Sequence, residues 1–146
     1  MKEFKGRVVI EGNIEGEAVV TKSGLNVLAT FQKSALKKMK QVIAADQNNK
    51  DLYGKNLTDK VICLPKTIGS TTGGMVLETV AKMGIAPKAF LFAEHIDTLA
   101  ASGVILANVW LGKNIVTVDN LGDEFLEYVK EGMNIEIKDD GTVIIK

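Results

Sequence analysis

The hydroxyls and glycines of one stretch are the residues best suited to chemistry in this chain: Leu64-Pro65-Lys66-Thr67-Ile68-Gly69-Ser70-Thr71-Thr72-Gly73-Gly74. An apolar, strand-like run (Val61-Ile62-Cys63-Leu64) leads into it, and a helix-like run from Met75 to Met83, stopped by Gly84, leads out. A strand that opens through a Gly/Ser/Thr loop into a helix presents backbone N–H groups that have no partner inside the helix. Those groups and the positive end of the helix dipole favour an anion. Glycines let the main chain approach a ligand with no Cβ in the way, and Ser70 or Thr71 is placed to cap the helix with its hydroxyl. The chemistry on offer is capture of a small anion by the backbone N–H groups of Gly69, Thr71, Thr72, Gly73 and Gly74. Lys66 adds charge beside them, and Ser70 is the hydroxyl whose alkoxide such donors stabilise. The same residues also suit a capped helix after a tight turn, with no ligand at all. A phosphate-binding loop ending in Gly-Lys-Ser/Thr, a G-x-G-x-x-G fingerprint and a G-x-S-x-G nucleophile elbow are all excluded by the spacing.

Elsewhere the chemical inventory is thin. His95, in Ala93-Glu94-His95-Ile96-Asp97, is the sole histidine, and Cys63 the sole cysteine. Cys63 reads as a small core residue of a strand. One Cys and one His cannot build a metal site within the chain, and Asp46 and Asp51 flank a polar loop without ligand spacing. No complete catalytic set is present, so an enzymatic role requires groups from a partner chain.

At 146 residues the chain is expected to form a single domain, 1–146, with a real core. Lys+Arg and Asp+Glu are 18 each, a balance without the basic footprint that nucleic acid demands. No run reaches the roughly 18 apolar residues of a membrane-spanning helix. Met1-Lys2-Glu3-Phe4-Lys5 is followed by no apolar signal region, and a lone cysteine suits a reducing, cytoplasmic compartment. The expectation is no nucleic acid, no membrane and a cytoplasmic location.

The elements that must position the loop follow from periodicity and turn residues. Gly6 to Glu11 reads as a strand, Gly12-Asn13 as a turn, and Gly16 to Thr21 as its hairpin partner. Leu25 to Ala29 reads as a further short strand. Lys33 to Ala45 reads as a helix, with Leu36, Met39, Val42 and Ile43 near one face. Gln47 to Lys55 reads as a surface loop. Lys60 to Leu64, Lys88 to Phe92 and Ile115 to Val118 are strands. Asp97 to Trp110 is a helix capped by Asp97 or Thr98, although Gly103 lies inside it, and Gly122 to Lys130 is a short helix. Asn134 to Lys138 and Thr142 to Lys146 form a hairpin turned by Asp139-Asp140-Gly141. The fold class is α/β: a mixed sheet packed with helices, flanked by β-hairpins that suggest a second sheet or barrel-like layer.

The ordered set of motifs resembles the small subunit of the aconitase X family. The matching pieces are Gly6-Arg7-Val8-Val9 with Gly12, Gly16-Glu17-Ala18, Tyr53-Gly54-Lys55-Asn56-Leu57, and Leu64-Pro65 through Gly69-Ser70-Thr71-Thr72-Gly73-Gly74 with Val76-Leu77-Glu78. Gly84-Ile85-Ala86-Pro87-Lys88-Ala89, and Asp97 through Ala107 with Gly103, complete it. The resemblance implies a swivelling β/β/α domain and a hydro-lyase that removes water from a small hydroxy acid. It implies a heterodimer, in which a large subunit carries iron or an iron–sulfur cluster and this chain carries no cofactor and no metal ligand. It implies that Ser70 is the base or substrate contact, and substrates of the phosphomevalonate or cis-3-hydroxy-L-proline type. Two stretches depart from the family pattern. Many members have Gly-Arg-Gly-Ser where this chain has Thr67-Ile68-Gly69-Ser70, so a bidentate anion donor is missing, which counts against a phosphorylated substrate. Many also have Ser-Phe-Trp-Gly-Gly near Asn26-Val27-Leu28-Ala29-Thr30-Phe31, and contacts there do not transfer. The alternative from another class is a non-catalytic regulatory module that uses the loop to bind a small anion or a protein.

Overall fold

A computed structural model describes residues 1–69 and 72–146, with the side chains of 99 and 110 left aside. In chain order the elements are β1 (Lys2–Lys5), β2 (Arg7–Ile10), β3 (Ile14–Val20), β4 (Leu25–Asn26), α1 (Val27–Leu36), β5 (Val61–Leu64), β6 (Thr67–Ile68), α2 (Gly73–Lys82), β7 (Ala89–Phe92), α3 (Thr98–Leu111), β8 (Val116–Asp119), α4 (Asp123–Tyr128), β9 (Asn134–Ile137) and β10 (Thr142–Ile145). Among the described residues no helix is long and apolar enough to cross a membrane.

One sheet has the order β1-β10-β9-β3-β5-β7-β8-β2, and β4 pairs separately with β6. The pairs β3–β5, β5–β7 and β7–β8 are parallel, and the rest of the large sheet is antiparallel. Only Gly6 separates β1 from β2, yet these strands occupy the two ends of the order. One bent stretch therefore supplies both edges, and the sheet closes on itself. At the bend the Gly6 N–H donates to the Gly141 carbonyl at 3.1 Å. A Cβ on Gly6 would lie 2.6 Å from the Asp119 carbonyl oxygen, and one on Gly141 would lie 2.6 Å from the Gly6 oxygen.

Closure leaves the central parallel strands covered on both faces, the usual condition of parallel sheets. Every residue of β5, β7 and β8 is buried. Period-two alternation divides them between two cores. Ile62, Leu64, Phe90 and Phe92 pack against Val27 and Phe31 of α1, Leu77 and Val80 of α2, and Ala100, Val104 and Ala107 of α3. Val61, Cys63, Ala89, Leu91, Val116 and Val118 face the other way, toward Ile135, Ile137, Val143, Ile145 and the Phe125 of α4. The result is three layers, β/β/α, with α1, α2 and α3 on one side of the central strands.

The mixed sheet, the barrel-like layer and the C-terminal hairpin match expectation. The N-terminal hairpin does not form. Instead β2 pairs with β8, while β3 pairs with β9 and β5. Gly12 is filled from across the fold, where its Cβ would meet Val116 Cγ2 at 2.5 Å. The helix expected at Lys33 to Ala45 begins earlier, at Val27, because Asn26 caps it by accepting the Ala29 N–H at 3.0 Å. It ends by Lys38, which has φ +50°, so Val42 is buried from a loop and Leu36 lies exposed. The loop from 47 to 55 is not wholly on the surface. Leu52 is buried, and Asn49 and Asp51 accept the Thr21 hydroxyl at 3.2 and 3.1 Å. Strand β1 had no sequence expectation.

Two outcomes test this architecture. Gly6→Ala forces a methyl onto main chain that no rotamer change can relieve. It is expected to cost about 1–3 kcal/mol and lower the melting temperature by on the order of 5 °C, read by calorimetry. At the closing hairpin, the Thr142 hydroxyl, the Thr142 N–H and then Lys5 hold the Asp140 carboxyl down at about 2. A depressed carboxylate contributes stability above its unfolded value, which is lost as pH falls toward the folded one. The stability gap between the native chain and Asp140→Asn should therefore close between about pH 4 and pH 2, measured by urea unfolding.

Candidate active site

At the C-terminal ends of β3, β5 and β7 the chain turns into α1, α2 and α3. The first turns of these helices meet around β6 and Gly69, enclosing a cavity of about 230 Å³ lined by Val27, Thr67, Ile68, Gly69, Gly73, Gly74, Asp97 and Ala100. Val27 opens α1, Gly73 and Gly74 open α2, and Asp97 is the N-cap of α3 with Ala100 in its first turn. Three helix N-termini thus share one cavity, and their partial positive charges add. The crevice outside the carboxyl ends of parallel strands is also where α/β folds bind ligands.

Close contacts fix this arrangement. Strand β4 pairs in parallel with β6, and the Leu25 N–H donates to the Lys66 carbonyl at 2.9 Å. Gly69 adopts φ +103°, and a Cβ there would sit 2.6 Å from the side chain of Asn26, the cap of α1. Asp97 spans two elements: its Oδ1 accepts the Ala100 N–H at 2.8 Å, and its Oδ2 accepts the Thr67 hydroxyl. Gly103 has a reason to interrupt α3, because its Cβ would meet the Gly74 carbonyl oxygen at 2.8 Å. The glycine lets α3 press against the start of α2.

Of the residues singled out from sequence, Gly69, Gly73 and Gly74 line the cavity together. Ser70 and Thr71 lie outside the described residues. Thr72 is the N-cap position of α2 and makes no side-chain cap bond there, and the hydroxyl cap expected from Ser70 or Thr71 falls outside the described residues. Lys66 is exposed beside the loop and is not part of the cavity wall. Sequence reasoning missed Asn26, Val27 and Thr67 as site residues. An Asn before an apolar run is a cap signal, which the lysine-rich stretch after it obscured.

His95 is exposed, with Nδ1 3.2 Å from Arg7 Nη2. Arg7 is engaged in turn with Asp119, through Nε to Oδ1 at 2.9 Å and Nη2 to Oδ2 at 2.6 Å. The hydrogen bonds to Asp119 push the Arg7 guanidinium above its ordinary value. Cys63 points into the barrel side of the sheet, and burial pushes its thiol up. Asp46 serves a local turn by accepting the Asn48 N–H, and Asp51 ties its loop to the end of β3 by accepting the Lys22 N–H and the Thr21 hydroxyl. Among the described residues no three His, Cys, Asp or Glu side chains converge as a metal site, so these residues do not fit a resident iron or iron–sulfur group. A larger cleft of about 670 Å³, lined by Glu11, Asn13, Asn108, Asn114 and Asp139 among others, lies near the C-terminal end of α3. It has no converging helix N-termini.

The chain is a three-layer β/β/α body that gathers helix N-termini at one end of its parallel strands. Residues 3–145 match the family model described as the aconitase X swivel domain, and the chain belongs to that family. It is 29% identical over 145 residues to the phosphomevalonate dehydratase small subunit of Thermococcus onnurineus, covering 99% of this chain and 98% of the relative. It is 31% identical over 144 residues to the protein of that name from Methanocaldococcus jannaschii, covering 99% and 96%. The crystal structure of Thermococcus kodakaraensis aconitase X (holo-form) superposes with a TM-score of 0.84 at 27% identity, covering 100% of this chain and 99% of the other.

The thiolate is the reactive form of cysteine, so Cys63 is expected to resist alkylation in the native protein. Modification by iodoacetamide, followed by mass spectrometry, should proceed only at the rate of unfolding and become fast in denaturant.

Proposed function

We propose that this chain is the small subunit of an aconitase X-type hydro-lyase and is inactive without its large subunit. The observation that carries this reading is the convergence of three helix N-termini on the loop after β5. In the proposed reaction the cavity holds the carboxylate of a small hydroxy acid. The main chain at Gly69, Thr71, Thr72, Gly73 and Gly74 supplies the donors, and Lys66 adds charge at the rim. Ser70 takes the proton from the carbon beside that carboxylate. The freed electron pair forms the new double bond, and the hydroxyl leaves from the neighbouring carbon on the side that the large subunit completes. Iron or an iron–sulfur cluster carried by the large subunit belongs to the proposal, as does a cytoplasmic location. No residue of this chain is assigned to the metal.

Two substrates suit this reading. The relatives' names point to phosphomevalonate. The described cavity wall favours an unphosphorylated acid such as cis-3-hydroxy-L-proline, because it contains no Lys or Arg, and Ile68 stands half exposed in the loop. A dianionic phosphate is ordinarily met by such cations.

Native purification of this chain with its bound partner, followed by iron analysis and assay on both substrates, tests the proposal. The expected result is a larger, cysteine-bearing, iron-containing chain and a dehydratase activity that neither chain shows alone. A protein recovered alone, without partner or iron, would favour the small-anion module. In the assembled enzyme Ser70→Ala should lower kcat by about 10²-fold or more while the subunits still copurify. Full activity in that variant would remove Ser70 from the mechanism.

A further inference from the structure

Asp119 is a carboxylate with no exposed side-chain surface, and the chemistry above makes no use of it. Burying an ion costs several kcal/mol unless it is paired and hydrogen-bonded. Here the pairing is complete. Arg7 donates from Nε and Nη2, and the Ile96 N–H donates to Oδ2 at 2.9 Å. A strand junction does not need this pair, because β2 and β8 are already joined through Arg7↔Asp119 and Val8↔Val118.

What the carboxylate adds is a hold on the segment between β7 and α3. Other bonds also grip that segment: Glu94 N–H donates to the Pro65 carbonyl at 3.0 Å, and Asn120 N–H donates to the Glu94 carbonyl at 3.0 Å. Ile96 is the next to last residue before the helix. A trans peptide spans 3.8 Å between Cα atoms, so fixing the Ile96 N–H places Asp97 to within one peptide unit. Asp97 then caps α3 and accepts the Thr67 hydroxyl in the cavity wall. The contacts run without a break from Arg7 through Asp119 and Ile96 to Asp97 and Thr67.

We propose that Asp119, held by Arg7, is a positioning residue for the site: it sets the start of α3 and thereby keeps Asp97 against Thr67. Its relevance to turnover rests on the cavity being the substrate's, as proposed above. The geometric part does not depend on that reading, and the two are separable by experiment.

Asp119→Asn keeps the shape but removes the charge and the two-oxygen acceptor for Arg7. Arg7→Lys keeps the charge and loses the fork, which gives a milder lesion should the first variant fold poorly. Val143→Ala, a cavity in the core on the barrel side of the sheet that touches none of the bonds from Arg7 to Thr67, serves as the control for loss of stability. In amide NMR spectra of the full chain, Asp119→Asn and, less strongly, Arg7→Lys are expected to shift Thr67, Gly69, Gly73, Gly74 and Ala100. Val143→Ala should leave those signals in place at an equal drop in melting temperature. In the assembled enzyme the Asp119 variant is expected to lose about 10–100-fold in kcat, the scale of a small misplacement of catalytic groups. Cavity signals that do not move, or that move equally in the core control, overturn the proposal. Shifted signals in a complex with no dehydratase activity would uphold the positioning role and overturn the proposed function instead.

Discussion

The fold depends on a bend at a residue with no side chain. Gly6 lets one stretch of chain leave the edge of β10 and join the edge of β8, and the Asp119 carbonyl oxygen with the side chains of Val118 and Leu121 crowds the space a Cβ would need. Closure removes the free edges that an open sheet must otherwise protect. It also encloses one face of the parallel strands, so the crossover helices have only the other face on which to pack. Because β3, β5 and β7 run the same way, their helices all begin at the same end. The gathering of three N-termini is thus a consequence of strand direction and closure, and the loop sequence refines a location that the topology has already chosen.

How much of this was legible depended on whether the cause was local. The strand–loop–helix at the site, the buried apolar strands, the cap at Asp97 or Thr98 and the Asp140-Gly141 hairpin are short-range effects of periodicity, capping and turn chemistry, and they could be read directly. The pairing of β2 with β8 could not. Gly12-Asn13 is a sound turn signal, but the partner is chosen by packing against residues more than a hundred positions away. The start of α1 was misplaced because Asn26 acts through its cap, whereas the lysines after it imitate a helical face. Gly103 weakened the helix reading of α3 until the opposing Gly74 carbonyl gave it a purpose. The coupling of Thr67 to Asp97 joins residues 30 apart, and nothing in their spacing announces it.

The described cavity wall is mostly main chain and small or apolar side chains, with one carboxylate already committed to a cap and a hydroxyl. In the proposed reading this surface would hold an anion through oriented N–H groups, which need no proton exchange and no side-chain reorganisation when charge develops. It offers few groups that could do acid–base chemistry unaided. Membership of the aconitase X swivel family and the small-subunit names of the relatives imply a large-subunit partner, to which the proposal assigns the rest of the chemistry.

The tight joint between Gly74 and Gly103 has a mechanical meaning. With α2 seated on α3, Gly69 wedged against Asn26 and Thr67 tied to Asp97, residues 67–69 have little travel of their own. Bringing this end of the molecule toward a surface elsewhere then calls for displacement of the whole body. Motions of that kind run on the microsecond-to-millisecond scale. The hinge for such a stroke would lie outside these contacts, and its stiffness would set the pace of opening and closing.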